Sequence, residues 1–427
     1  MRVERRRLDG DPAALAAEIR ALAPSPPDVR SEVAAILQQV RAEGDRAVLD
    51  LTRRFDAAGA QPPPLRVEIE ELPPLEPSLL DVLTLARENV AAVARAQVEE
   101  GERLVTLPQG QRVTLREVPV RSAAVHVPGG RAPYPSTAVM GVTAARVAGV
   151  ERVVVCTPPS ARDGAVLGAA ALCGADEIYR MGGAQAIGAL AYGTESVGAV
   201  DVIAGPGNAY VTEAKRQVFG RVGIDALAGP SELVVLTTDA ESVALVALDL
   251  AAQAEHGEGS LVVAISPERS VLDVLGALID AEGSVPCGGG LIEAGGSVPC
   301  VLVETSDLFS ALALADALGP EHLQLVGESL EEAAVGRVAG CVLVGASSAT
   351  AFGDYVAGSN HVLPTGGAAS FSSALSPRAF RRSVAEVRIG AHAATALAPS
   401  GAAMARVEGF EVHAQSMEAR MGENPAR

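Results

Sequence analysis

The hydrophobic pattern through the middle of the chain alternates between two kinds of segment. Short runs rich in β-branched residues, typical of buried strands, alternate with longer alanine-rich runs, typical of helices. The predicted strands are ERVVVCTPP, DEIYRM, DVIAG, SELVVLTT, SLVVAIS, CVLVE and GCVLVGAS. This alternation predicts an α/β fold with parallel sheets.

Three regions depart from the alternation. Residues 1 to about 100 read as mostly helical, with breaks at APSPPD and QPPP. The tail from about residue 376 also reads as helical and becomes strongly polar at its end. Between them, residues 283–300 contain GSVPC twice, which predicts a glycine-rich surface excursion, with a Cys287–Cys300 link as the alternative.

Length and composition narrow the class of protein. A chain of 427 residues is too long for one simple core, so two or more domains are expected. An apolar content of 48% with 20% charged residues indicates a soluble globular protein. The net charge of −18 argues against nucleic acid and anionic membrane as partners, since both require a basic surface.

The sequence also indicates a compartment. The N-terminal MRVERRRLDGDP lacks the apolar core of a signal peptide, and no apolar run is long enough to span a membrane. The five cysteines are odd in number and form no CxxC pair, which is typical of reduced thiols. We therefore expect a cytoplasmic protein.

Three glycine-rich turns follow predicted strands: VHVPGGRAPYPST, RMGGAQAIGALAYGT and VIAGPGNAYVTEAK. A strand that turns through glycines into a helix can present backbone N–H groups to a phosphate. The three lack a full GxGxxG, and such turns also occur for structural reasons. Gln185 and Asn208 are the polar groups in them that could hold a ribose or an amide.

The stretch QAEHGEGS places an amide and an imidazole at the end of an apolar helix. Gln253 and His256 are three positions apart and would share one helical face. In LGPEHLQL, Pro320 fits the first turn of a helix, so Glu321 and His322 would lie at a positive helix end that keeps the imidazole neutral. A solvated helix start is the alternative.

Two further stretches carry candidate site residues. FGDYVAGSNHVLPT reads as a loop that contains Asp354, Asn360 and His361. VEGFEVHAQSMEAR adds two polar residues near the C-terminus, Glu408 and His413. Taken together, two imidazole nitrogens and two side-chain oxygens suit zinc and could also take manganese or cobalt; they belong to Gln253, His256, Asp354 and His413.

In order and number these motifs resemble bacterial histidinol dehydrogenases over nearly the whole chain. The matching stretches are VPGGRAPYPST, GGAQAIGALAYGT, GPGNAYVTEAKRQV, AGPSE, DLAAQAEHG, GPEHL, GDYVAGSNHVLPTGG and VEGFEVHA. The resemblance implies an NAD-dependent, four-electron oxidation of L-histidinol through histidinal to L-histidine, the last steps of histidine biosynthesis. It also implies one Zn²⁺ per subunit and NAD⁺ as co-substrate.

The resemblance assigns roles residue by residue. Glu321 and His322 become the catalytic bases, and Gln185 and Asn208 become NAD contacts. The implied zinc ligands are Gln253, His256, Asp354 and His413. The implied substrate contacts are Ser231, Gln253, His256, His322, Asp354, His361, Glu408 and His413. His126 stands where the family usually has tyrosine, so that cofactor contact departs from the family pattern.

The family fold would be two similar, incomplete Rossmann-like domains with small helical segments at both ends. The implied division is an N-terminal segment 1–22, a first α/β domain 23–124 with 231–375, an inserted NAD-binding domain 125–230, and a tail 376–427. Two chains would form a swapped homodimer with active sites shared between them.

Two alternative functions remain at the level of sequence. A relative with the same machinery could oxidise another alcohol, such as sulfopropanediol. His361 and Glu408 favour a cationic, imidazole-bearing substrate, since a sulfonate would require additional arginine. A zinc hydrolase that uses Glu321 to activate metal-bound water is the alternative from another class, and it would not need the glycine-rich turns.

Overall fold

A computed structural model describes residues 1–24, 27–56, 59–99, 101–129, 132–159, 163–257, 259–280, 284–287, 290–293 and 298–421. Its strands are β1 Arg2–Arg7, β2 Arg66–Val67, β3 Glu102–Thr106, β4 Arg112–Pro119, β5 Ser122–His126, β6 Arg152–Thr157, β7 Glu177–Arg180, β8 Val202–Ala204, β9 Gly223–Ile224, β10 Glu232–Thr237, β11 Leu261–Ser266, β12 Ser284–Cys287, β13 Gly290–Glu293, β14 Pro299–Glu304, β15 His322–Val326, β16 Cys341–Val344 and β17 Arg381–Arg388.

The α-helices of these residues are α1 Pro12–Arg20, α2 Arg30–Glu43, α3 Asp45–Phe55, α4 Pro77–Gln97, α5 Pro135–Ala148, α6 Gly164–Leu172, α7 Gly183–Tyr192, α8 Ala209–Val218, α9 Val243–Ala254, α10 Arg269–Asp280, α11 Leu308–Leu318, α12 Glu328–Glu331, α13 Thr350–Tyr355, α14 Ala391–Val407 and α15 Glu411–Glu418. The chain divides into two compact units, residues 1–97 with 120–380 and residues 98–119 with 381–427. We call them the large unit and the small unit.

The first sheet of the large unit has the strand order β1-β14-β11-β10-β15-β16, with every neighbouring pair parallel. Along β10 successive side chains enter opposite cores, because side chains alternate across a strand. Leu233 and Val235 pack with α9 and α10, whereas Val234 and Leu236 pack with α1 and α11. Helices on both faces explain why these strands are nearly continuous apolar runs.

The second sheet has the order β2-β7-β6-β5-β8-β9, with only its β2 edge antiparallel among the described strands. In each sheet the edge strand β1 or β2 comes first in the chain. When the other five strands of a sheet are numbered in chain order, both sheets have the strand order 3-2-1-4-5. In each, the first strand lies between the second and the fourth, so the chain reverses direction across the sheet at that point. In the second sheet this reversal lies between β5 and β8.

The small unit is built on the antiparallel sheet β17-β4-β3 together with α14 and α15. The two helices pack on each other through small residues, mainly Ala402, Ala405 and Ala414, with Met417 against them.

The structure confirms the seven strands predicted from the middle of the chain and corrects the ends. Residues 2–7 form an edge strand, although a helical N-terminal segment was predicted for 1–22. Residues 381–388, within the tail predicted as helical, form β17. Both segments are rich in arginine, which exposed strand positions accept. They therefore lack the apolar run by which the other strands were predicted.

The chain segment before residue 97 also packs differently from the prediction. Residues 23–124 were assigned to the first domain, but α2, α3 and α4 pack against the second sheet. The boundaries of the inserted domain stay a prediction. In the repeated GSVPC segment, Ser284–Cys287 and Gly290–Glu293 form the antiparallel pair β12 and β13, and the second repeat ends in β14. The side chain of Cys287 lies outside the residues described, so the Cys287–Cys300 link also stays a prediction.

Candidate active site

The amino ends of β10 and β15 bring Ser231, Glu232, Glu321 and His322 together. The two strands are neighbours, with Leu233 paired to His322, so the residues that precede them meet at one edge of the first sheet. A Glu321 carboxylate oxygen accepts hydrogen bonds from the Ser231 hydroxyl at 2.6 Å and from the Glu232 backbone N–H at 2.8 Å. Glu321 is 7% exposed, so this carboxylate is fixed by the protein rather than by solvent.

His322 is held by the same segment of backbone. Its Nδ1 lies 3.3 Å from the Glu232 carbonyl oxygen. A carbonyl only accepts, so Nδ1 carries a proton there. Its Nε2 lies 3.4 Å from Asp354 Oδ1. The N–H and C=O of Glu232 therefore orient one proposed base each, while the Glu232 side chain is paired with Arg20 at 2.7 Å.

In each of these two groups, burial and the neighbouring charges shift the pKa in opposite directions. Burial raises the pKa of Glu321, against the influence of His322 and of its hydrogen bonds to Ser231 and Glu232. Burial alone would lower the pKa of His322, but the hydrogen bond to Asp354 and the nearby Glu321 carboxylate outweigh it, so the pKa is raised. Both shifts make these groups better proton acceptors than in water.

The Pro320 region corrects one prediction. The segment GPEHL was expected to begin a helix, but α11 ends at Leu318 and His322 begins β15. His322 therefore does not lie at a positive helix end, and the prediction that such an end keeps it neutral is wrong. Carboxylates and a backbone carbonyl surround the imidazole instead, and they favour its protonated form.

The end of α9 positions Gln253 and His256. Helix α9 ends at Ala254, two residues short of the predicted end, and His256 lies in the turn beyond it. The Gln253 Nε2–H donates to the Ser231 hydroxyl oxygen at 2.8 Å, and its Oε1 accepts no hydrogen bond from a described residue. His256 Nδ1 lies 3.3 Å from the Gln253 carbonyl oxygen, so its Nε2 points away from the helix backbone.

Asp354 lies among three histidines. It belongs to the short helix α13, where a loop was predicted, while His361 lies in the loop that follows. His361 Nδ1–H donates to the Asp354 carbonyl oxygen at 2.8 Å, and its Nε2 lies 3.2 Å from the Thr137 hydroxyl. Burial would raise the pKa of Asp354, but His322, His361 and His256 lower it overall.

The contact between His361 and Thr137 joins the two sheets at the site. Thr137 lies in the first turn of α5, directly after the glycine-rich turn that follows β5. The cluster at the amino ends of β10 and β15 therefore adjoins the carboxyl end of the second sheet. Open α/β sheets bind ligands outside the carboxyl ends of strands where the strand order reverses.

The predicted NAD contacts lie on two of the confirmed strand–turn–helix units. Asn208 caps α8, its Oδ1 accepting from the backbone N–H groups of Tyr210 and Val211. Gln185 is buried in the first turn of α7, and its Nε2–H donates to Asp56 Oδ2 at 3.0 Å. Burial raises the pKa of Asp56 to about 6. Asp56 had no signal in the sequence, because it reaches Gln185 from the end of a distant helix.

A buried ion pair holds the turn after β8. The ammonium of Lys215, the one lysine of the chain, pairs with Asp225 and also donates to the Gly205 carbonyl oxygen at 3.0 Å. Asp225 accepts from the Gly205 N–H at 2.7 Å. His126, at the end of β5, is buried beside this turn and donates from Nδ1 to the Pro206 carbonyl oxygen at 2.8 Å.

Glu408 and His413 lie in the small unit. Glu408 caps the end of α14, and His413 lies on α15 with its ring 5.1 Å from the Phe410 ring centre. Both side chains are exposed. Their part in the site described above stays a prediction.

The large unit contains oxygen and nitrogen donors of the types that bind metal ions. No group of three or more His, Cys, Asp or Glu side chains suited to a metal occurs among the described residues. The ligand set that the family resemblance implies includes the amide oxygen of Gln253. Gln253 Oε1, His256 Nε2 and the Asp354 carboxylate supply two oxygens and one nitrogen from one connected cluster. The Nδ1 of His256 faces a backbone carbonyl, the usual partner of a metal-binding imidazole.

The fold and the site together define an α/β enzyme. Two buried proton acceptors lie side by side next to an oxygen and nitrogen donor set, at the edge where α5 of the second sheet approaches. No helix in the described part of the chain combines the length and apolarity needed to cross a membrane.

Comparison with known proteins gives the family. The histidinol dehydrogenase family model matches residues 22–421. The chain is 41% identical to a histidinol dehydrogenase of Rhodospirillum rubrum, covering 99% of this chain and 98% of that one. It is 42% identical to one of Thermus thermophilus, covering 92% and 95%. A crystal structure of the Elizabethkingia anophelis histidinol dehydrogenase superposes with a TM-score of 0.87 at 28% identity, covering 99% and 98%. The chain belongs to the histidinol dehydrogenase family of oxidoreductases.

Proposed function

We propose that this chain catalyses the NAD-dependent, four-electron oxidation of L-histidinol through histidinal to L-histidine. The observation that supports this most directly is the pair Glu321 and His322, each held by one backbone group of Glu232. The overall reaction consumes one water and reduces two NAD⁺, so it needs a base for the alcohol and a base for water. Adjacent buried bases meet that requirement in one site.

We propose that His322 accepts the hydroxyl proton of the alcohol in the first oxidation. Its Nδ1 is committed to the Glu232 carbonyl, so Nε2 is the atom that exchanges a proton. Glu321 then accepts a proton from the water that attacks the aldehyde. The Ser231 hydroxyl and the Glu232 N–H hold one carboxylate oxygen, which leaves the other oxygen to receive that proton.

The groups that these residues would hold are zinc and NAD⁺. Gln253, His256 and Asp354 would hold the zinc, with His413 as the fourth ligand, and the substrate would contact Ser231, His361 and Glu408 as well. Bound zinc would supply a Lewis acid that orients the substrate, and NAD⁺ would accept the hydride. Gln185 and Asn208 would contact the dinucleotide near the carboxyl ends of β7 and β8.

We further propose that both sheets are incomplete Rossmann-like units and that two chains form a homodimer with shared active sites. Support for the first statement is the common 3-2-1-4-5 order, which lacks the sixth strand of the full unit. Support for the second is the apolar surface of the small unit. Val407 and Val412 are 90% and 76% exposed, and a partner chain would cover them.

The experiment that tests the proposed activity offers one substrate at a time. With NAD⁺ and L-histidinol we expect L-histidine and NADH, whereas sulfopropanediol should give neither. NADH from sulfopropanediol alone would identify the related alcohol dehydrogenase instead. Hydrolysis of an ester or amide without NADH would identify the hydrolase.

A further inference from the structure

The Ser231 hydroxyl lies between a proposed zinc ligand and a proposed base. It donates to the Glu321 carboxylate at 2.6 Å, and its oxygen accepts from Gln253 Nε2–H at 2.8 Å. The chain of hydrogen bonds therefore runs from the amide through one hydroxyl to the carboxylate. Its ends are buried, with Gln253 at 2% and Glu321 at 7% exposure.

Counting protons fixes the direction of this chain. An ionised carboxylate only accepts, and a serine hydroxyl has one proton to give. Because Ser231 gives that proton to Glu321, it can only accept from Gln253. The amide must then place Nε2 toward Ser231 and turn Oε1 away from it. The Glu321 oxygen that meets Ser231 also accepts from the Glu232 N–H, so the orientation of the amide follows from an acceptor 68 positions along the chain.

We propose that Ser231 is a positioning residue that couples the zinc site to Glu321. It holds Gln253 with the amide oxygen presented to the metal, and it holds Glu321 as an oriented acceptor. This inference rests on the proposed zinc site and adds to the substrate contact that the family resemblance implies for Ser231. It also explains why an amide occupies position 253, since an amide can supply an oxygen to a metal and an N–H to the serine.

Such coupling acts in both directions. A metal that draws on Gln253 Oε1 favours the amide orientation in which Nε2 meets Ser231, and so favours an accepting group at position 321. By thermodynamic reciprocity, removing the acceptor at position 321 must weaken metal binding. A hydroxyl that only contacted substrate would have no effect on metal affinity.

The test measures zinc affinity rather than activity, by competition with a chelator of known affinity. For Ser231→Ala we expect zinc binding about 10- to 100-fold weaker, the usual cost of losing a residue that orients a metal ligand. Ser231→Thr keeps the hydroxyl and should restore most of the affinity. Ser266→Ala is the matched control, since Ser266 is buried in β11 and its hydroxyl oxygen accepts from the Glu268 N–H, away from Ser231 and Gln253.

A second pair of variants tests the same chain of hydrogen bonds at its Glu321 end. Glu321→Gln keeps an oxygen that can accept from Ser231, so its zinc affinity should equal that of the wild type although activity falls. Glu321→Ala removes the acceptor and should weaken zinc. Circular dichroism of each variant establishes that it is folded, and this second pair decides the question if Ser231→Ala does not fold.

The outcomes separate the inference from the function on which it rests. A wild-type protein that binds no zinc overturns the zinc site and the coupling together. Wild-type zinc affinity in both folded alanine variants overturns the coupling and leaves the zinc site standing. Equal weakening in Ser231→Ala and Ser231→Thr would assign the effect to packing and would also overturn it.

Discussion

At the scale of single residues, Glu321 and His322 have different tasks in the proposed reaction. Glu321→Gln should impair oxidation of histidinal more than oxidation of histidinol, because attack of water on the aldehyde needs a base that the first step does not. Steady-state rates with each substrate supplied separately measure this. His322→Asn is the matched comparison and should lose more in the alcohol step. Equal losses in both steps would contradict the division of tasks.

His126 gives a prediction about acid stability. Burial lowers the pKa of His126 to about 4, so the unfolded chain takes up its proton first as the pH falls. The stability that this residue contributes is complete above pH 6.5, and about 3 kcal/mol of it is lost between pH 6.5 and 4. In His126→Asn that loss should disappear, because asparagine does not titrate there.

Urea unfolding at pH 7 and pH 4.5 measures the difference for His126. The control is His392→Asn, which removes an exposed histidine and should leave the pH dependence of the unfolding free energy unchanged. If His126→Asn loses as much stability on acidification as the wild type, the imidazole is not responsible.

The sequence indicated candidate residues that the structure brings together in the large unit, but not the groups that hold them. Glu321 and His322 stood out by their chemistry, whereas Glu232 acts through its backbone N–H and C=O, which no residue type reveals. Asp56 was missed for a related reason, since its contact with Gln185 depends on how a distant helix packs.

At the scale of elements, parallel strands were predictable because helices cover both of their faces. The runs that became β6, β10 and β11 are apolar through their centres, as burial on both sides requires. Strand β15 was missed because HLQLV carries polar residues into the core. There the buried Gln324 donates to Asp249 at 2.7 Å, a pairing that the sequence does not show.

The turn after β8 gives a prediction at this scale. Asp225 accepts from the Gly205 N–H, and Lys215 donates to the Gly205 carbonyl oxygen. The φ of +110° at Gly205 and its close approach to His126 require glycine at this position. Lys215→Met should lower the free energy of unfolding by about 3–5 kcal/mol, because it leaves the Asp225 charge buried and unpaired. NAD⁺ affinity should fall with it, since this turn is a proposed dinucleotide contact.

Two variants control the experiment on Lys215. Arg216→Met removes the neighbouring cation, which pairs with Glu213 at the surface, and should cost less than about 1 kcal/mol. Adding Asp225→Asn to Lys215→Met removes the unpaired charge but keeps an acceptor for the Gly205 N–H, so most of the loss should be recovered. Losses of similar size in Lys215→Met and Arg216→Met would show that the buried pair has no special role.

At the scale of the whole molecule, the proposed homodimer predicts complementation between inactive variants. If His256 and His413 of one site come from different chains, a mixed dimer of His256→Asn and His413→Asn has one doubly altered site and one intact site. Unfolding and refolding the two variants together should then restore activity to at most about a quarter of the sites under random pairing.

The control for complementation is each variant refolded alone, which should stay inactive. Exchange of subunits is checked independently with differently tagged chains. If tagged heterodimers form and activity does not return, each chain supplies both residues to its own site, and the shared-site proposal is wrong.

The central claim is that one site carries out two successive oxidations. The most direct measurement supplies a limiting amount of L-histidinol with excess NAD⁺ and counts the NADH formed when the substrate is exhausted. We expect two NADH for each L-histidinol consumed, with L-histidine as the product, because the two-base site takes the aldehyde on to the acid. One NADH for each L-histidinol, with histidinal accumulating, would contradict the account.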